Sequence, residues 1–105
     1  MMKQIKSHEF QMEVLESKIP VLVDFAASWC GPCKMMGPVL EQLSAEYEGR
    51  VKIVKVDIDE SMDLAQKYQI MSVPNMVIFK SGIPVDGVIG AVPPAVLKEK
   101  LDEMV

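Results

Sequence analysis

Six residues, Val21-Leu22-Val23-Asp24-Phe25-Ala26, set the terms for any fold this chain adopts. Five of the six are apolar, and no alternation with polar residues relieves the run. A strand of that kind is buried on both faces, as in a parallel sheet with helices above and below it, rather than half-wetted at a sheet surface. The chain has 105 residues, enough for one such domain and too few for two. Repeats, low-complexity tracts and linkers are absent from the sequence, so a single domain over residues 1–105 is expected.

The segments around this strand follow the same logic. Lys3 to Lys6 reads as a short edge strand, and Ser7 as the cap of a helix carrying Phe10, Val14 and Leu15 on one side, closed by Pro20. After the buried run, Pro32 stands where a first helical residue would. Val39, Leu40, Leu43 and Tyr47 recur at helical spacing, Pro38 is expected to kink that helix, and Gly49 to end it. Val51 to Asp57 is a second β-prone run. Residues 61–68 form a short helix with Leu64, Ala65 and Tyr68 on one face. Pro74 opens a strand over Met76–Phe79, and Ser81-Gly82 turns it into another over Val85–Ile89. A last helix starts near Pro93-Pro94 and turns Val96, Leu97, Leu101 and Met104 inward. Two β-α-β crossovers imply parallel pairing and the two-residue turn an antiparallel one. The fold class is α/β, a mixed central sheet of parallel and antiparallel strands flanked by helices on both faces.

Charge excludes one class of partner. Eleven Lys and Arg against fifteen Asp and Glu give a net charge of -4, and the basic residues form no block. Nucleic-acid affinity comes mostly from clustered cations, so no nucleic-acid partner is expected. No apolar run approaches the roughly 20 residues of a membrane helix. The start, Met1-Met2-Lys3-Gln4-Ile5-Lys6, lacks the apolar core of a secretory signal. No membrane association and a cytoplasmic location are therefore expected.

The only two cysteines stand together in Cys30-Gly31-Pro32-Cys33. A dithiol catalyst needs an exposed sulfur of low pKa to attack and a second within reach to resolve the mixed disulfide. Cys30 falls at the helix start, where free N–H groups and the helix dipole favour a thiolate. It is assigned as nucleophile and Cys33, one turn in and less accessible, as resolving thiol. Gly31 and Pro32 add no charge to the thiolate, so the couple leans toward reducing. The competing reading is half a zinc site, but zinc takes four ligands; the chain has besides one distant histidine, His8, expected at the surface, and a complete site would need dimerisation or carboxylates. No metal and no separate cofactor are expected, the disulfide itself being the redox group.

Asp24 sits inside the buried run, where an unpaired carboxylate costs several kcal/mol. Two readings stand open. One is a structural ion pair with Lys55 of the next β-prone run; the other is an acid–base group, its pKa raised by desolvation, that takes the proton of Cys33. Both hold if Lys55 moderates the pKa of Asp24. Of the nine methionines, Met35, Met36, Met71 and Met76 flank these segments, and core filling is the expectation for them over adaptable surface contact.

Trp29-Cys30-Gly31-Pro32-Cys33-Lys34 resembles the active-site motif of the thioredoxin family without a mismatch. The resemblance runs nearly end to end, through Val21–Phe25 with its aspartate, Pro38, Lys55 to Asp59, Val73-Pro74, Phe79–Gly82 and Gly90-Ala91. It implies a thioredoxin fold and a protein-disulfide reductase acting on disulfide-containing client proteins and re-reduced by a thioredoxin reductase. It also implies a cis bond at Val73-Pro74 and an apolar docking surface of Trp29, Gly31, Pro32, Val73, Pro74 and Gly90, with the Val73 backbone pairing to substrate; a monomer is expected. Departures are Ala26 where many relatives have a second tryptophan, Asn75 in place of threonine, Gly37 in place of a better helix former, and Val92-Pro93-Pro94 before the last helix. Ala26 and Asn75 motivate a narrower reading, a dedicated reductase and few clients. A reading from another class is a non-catalytic interaction or metal-binding module.

Overall fold

A computed structural model of the chain describes residues 2–105. In chain order the elements are β1 (Lys3–Ile5), α1 (Ser7–Phe10), β2 (Val21–Ala26), α2 (Gly31–Glu46) and β3 (Lys52–Asp57). They are followed by α3 (Met62–Lys67), β4 (Asn75–Lys80), β5 (Ile83–Ile89) and α4 (Pro94–Met104). The first helix continues beyond Phe10 as a π-helical stretch, Gln11–Leu15.

The five strands form one sheet in the order β1-β3-β2-β4-β5. β2 lies at its centre, parallel to β3 and antiparallel to β4. All six of its residues are buried. Alternation along the strand sends Val21, Val23 and Phe25 to one face and Leu22, Asp24 and Ala26 to the other. On the first face they meet Phe10 and Val14 of the first helical segment and Leu64 of α3; on the second, Leu22 meets Met36, Leu40 and Leu43 of α2 and Leu97 and Leu101 of α4. Each fully buried side chain of this size adds about 1.5–3 kcal/mol. The mixed α/β sandwich expected from the sequence, the thioredoxin fold, is the structure found.

Several local expectations are corrected. Ser7 does not cap α1: the cap is Lys6, and the Ser7 hydroxyl instead bonds the Asp63 carboxylate on α3. The strand over Ile83–Ile89 is two residues longer than expected, and it holds Pro84 because an edge strand has a free side where no N–H is needed. Val96 of α4 is exposed rather than inward, since the helix face is centred on Leu97 and Leu101. The hairpin turn Ser81-Gly82 has both residues at positive φ, 53° and 77°, the two-residue turn whose twist suits paired strands. A Cβ on Gly82 would come within 3.0 Å of the Leu15 carbonyl, so this turn packs against the first helical segment.

Candidate active site

The site forms where β2 ends. Ala26 closes the strand, Cys30 N–H donates to the Ala27 carbonyl at 3.2 Å, and α2 starts at Gly31 with Pro32 in its first turn. Cys30 is the N-cap residue of α2, and its Sγ accepts the Cys33 N–H at 3.1 Å. The two cysteines form a disulfide with Cα atoms 5.3 Å apart. Their exposures are 4% and 5%, so the expected asymmetry, Cys30 open and Cys33 sheltered, is absent from the disulfide form. The reason is geometric: both sulfurs turn inward to bond each other and pack with Ala26 and Ala27, while Ile58 and Val73 close over them.

Val73 comes from the loop before β4. Its carbonyl oxygen lies 3.7 Å from Cys30 Sγ, and the Val73-Pro74 bond is cis. Pro74 is buried, and its own carbonyl accepts the Gly90 N–H at 2.8 Å, tying in the loop after β5. Gly90 holds φ at +91°, a conformation that favours glycine. Trp29 is 68% exposed, and its Nε1–H donates to Asp59 at 2.9 Å. Gly31 and Pro32 are exposed. Thus all six residues of the anticipated surface gather at this end of the sheet, with Pro74 beneath rather than on it.

Asp24 projects from the same face of β2 as Leu22 and Ala26. Leu22 packs with Met36 and Ala26 with Cys33, which places the carboxyl under the first turns of α2. Its Oδ1 has no hydrogen-bond partner among the described residues. Burial pushes its pKa up to about 6, and the Lys55 charge pulls in the opposite direction. Lys55 lies opposite Asp24 in the β2–β3 register and is half-buried. The two do not form the contact ion pair that one sequence reading required; a lysine stem is long enough to keep its ammonium hydrated. What remains is a buried acid whose pKa is raised to about 6, on the strand face that α2 covers.

Two site features escaped the sequence reading. Asp59 bonds the indole across a separation of 30 residues, and no local pattern announces such a pair. Ile89, exposed and paired with Asn75, extends the apolar surface next to Gly90. An alternating strand pattern ending at Gly90 was the available signal. His8 is exposed on α1. Among the described residues no group of three or more His, Cys, Asp or Glu side chains converges, and no helix is long and apolar enough to cross a membrane. A groove of about 300 Å³ lies at the opposite ends of the strands, where Glu13 already pairs with Lys3 and Lys52 at 3.0 and 3.3 Å.

A sequence model of the family described as thioredoxin matches residues 1–103. The chain belongs to the thioredoxin family. It is 48% identical over 100 residues to thioredoxin 1 of Nostoc sp., covering 95% of this chain and 94% of that one. It is 52% identical over 94 residues to thioredoxin 1 of Synechococcus elongatus, covering 90% and 88%. With a thioredoxin of Staphylococcus aureus it shares 55% over 82 residues, 78% of this chain and 79% of that one. Membership and the Cys30–Cys33 disulfide together make this thioredoxin-family chain a thiol–disulfide oxidoreductase. Reductases and disulfide-bearing clients are the partners of the family in general.

Proposed function

We propose that the chain, acting as a single domain and a monomer in the cytoplasm, reduces protein disulfides with Cys30 as the attacking group. The observation that carries this reading is the Cys33 N–H aimed at Cys30 Sγ from the first turn of α2, at 3.1 Å. A helix start with a donor on the sulfur favours the thiolate over the thiol. The Cys30 thiolate attacks one sulfur of the client disulfide, a mixed disulfide forms, and the other client sulfur leaves as a thiolate. Cys33 then attacks the Cys30 sulfur, closes the ring and expels the second client sulfur. Two electrons have passed to the client, and a thioredoxin reductase returns two to the disulfide. Asp24 takes the Cys33 proton, directly or through a water, at a pKa suited to neutral pH. Lys55 limits how far burial raises that pKa. No cofactor beyond the cysteine pair takes part.

Trp29, Gly31, Pro32, Val73 and Gly90 form the docking surface, with Pro74 supporting it and the Val73 backbone pairing to an extended client. A Cys33→Ser variant tests the assignment. It is expected to accumulate mixed disulfides through Cys30, seen by mass spectrometry of the linked peptides. Linkage elsewhere, or none, overturns it. Many trapped clients support a general reductase, and one or two a dedicated carrier, the reading that Ala26 and Asn75 favour.

A further inference from the structure

The methionines near the site divide into two kinds. Met36 and Met76 are core residues, 2% and 0% exposed, as the sequence led one to expect. Met35 and Met71 are not: they are 70% and 92% exposed. Neither thioether is buried, so core filling does not account for a methionine at either position; Met12 and Met62 are exposed as well, and it is their place beside the cysteines that sets Met35 and Met71 apart.

Both flank the reacting sulfurs. Met35 lies three and four residues beyond Pro32 and Gly31 on α2, so the three share one helix face. Helical side chains lean toward the N-terminus, which carries the Met35 thioether back over that exposed first turn. A Cβ on Gly31 would meet nothing within 4 Å, so the space above the turn is open. Met71 stands two residues before Val73, whose carbonyl lies 3.7 Å from Cys30 Sγ, and a two-residue span reaches at most about 7 Å. Beside it runs a shallow groove of about 480 Å³ lined by Ala65, Gln66, Gln69, Ile70 and Met71. Trp29, next in sequence to Cys30, and Ile89, next to Gly90, are exposed apolar residues at the same site.

We propose that Met35 and Met71 are specificity-determining contacts that grip bulky apolar side chains on either side of a client's cystine. The occupant is an extended disulfide-bearing segment with apolar flanks, and the surface is continuous with the docking surface assigned above, on which this inference rests. Unbranched thioethers adapt to many shapes, so they select for apolar character rather than for one residue. The Met71 side chain engages the flank that enters the groove against α3, and Met35 the flank that crosses Gly31-Pro32.

The test uses the full chain and two sets of disulfide-linked peptides, one with Leu and Phe beside the cysteines and one with Asp and Glu. In a Met35→Gln/Met71→Gln variant, the ratio of kcat/KM for apolar over acidic flanks is expected to fall about tenfold, mainly through KM. The single variants are expected to share that loss. An unchanged ratio overturns the methionine contacts and leaves the reductase reading standing. A wild-type chain that reduces neither set overturns both. Wild-type sedimentation at dimer mass, reverting to monomer in the variant, assigns the surface to a second copy and overturns the client contact.

Discussion

The two faces of the sheet are built from different material. Under α1 and α3 the core is aromatic, with the rings of Phe10, Phe25, Tyr68 and Phe79 meeting at centroid distances of 5.3 to 6.3 Å. Two of these pairs are edge-on, a geometry worth about 0.5–1.5 kcal/mol beyond the area buried. Under α2 and α4 the core is aliphatic except for Tyr47 at its far end, with Leu22, Met36, Leu40, Met76 and Leu101, and among the described residues it alone contains a buried carboxylate, Asp24. The shift of Asp24 from 3.8 to about 6 corresponds to about 3 kcal/mol of cost at neutral pH. One or two fully buried side chains such as Leu22 offset that sum. The lesson is a division of labour: one face anchors the sheet, and the other tolerates a buried, desolvated acid on the face that α2 covers.

The sharpest break of this comparison is Phe79→Ala on the anchoring face. It removes the shared partner of Phe10 and Tyr68 and is expected to lower the unfolding free energy by about 3–5 kcal/mol in denaturant titration. A loss below about 1 kcal/mol would remove the anchoring role of the aromatic face. Asp24→Asn has the opposite sign. Because the folded pKa lies above the unfolded one, the stability linked to the protonated acid is fully present below pH 3.8 and lost as pH rises through about 6. The variant is expected to be more stable than the wild type by up to about 3 kcal/mol at pH 7, with the difference closing below pH 4, and to turn over more slowly at neutral pH. A pH-independent difference between the two proteins would show that burial does not set this group's titration. The smallest effect belongs to the far end of the same face, where the Tyr47 hydroxyl donates to Asp102 at 2.6 Å and joins α2 to α4. Tyr47→Phe is expected to cost about 1 kcal/mol in the same titration. A cost several times larger would mean that this face, too, depends on a single anchoring contact.

How far the fold was legible follows the range of the forces involved. The buried strand Val21–Ala26, the helix started by Pro32 and the turn at Ser81-Gly82 were readable because burial pattern and backbone sterics act between chain neighbours. Ser7 misled for the same reason. Its local pattern suits a cap, but Asp63, 56 residues away, offers its hydroxyl a different partner. At the site, the cysteine pair was legible from spacing. Asp59 beside Trp29 was not, since a contact across 30 residues leaves no periodic trace.

By itself the sequence determined that a dithiol would sit on the first turn of a helix following a doubly buried strand, and that an acid would lie inside that strand. These are consequences of neighbouring residues and of what water excludes. Tertiary structure decided that the Asp24 Oδ1 would be buried without a hydrogen-bond partner, that Val73 would meet Cys30, and that of the four methionines flanking the site Met36 and Met76 would be core and Met35 and Met71 open to solvent. Those outcomes depend on which strands lie side by side and which helix covers each face, and only packing of the whole chain selects among them.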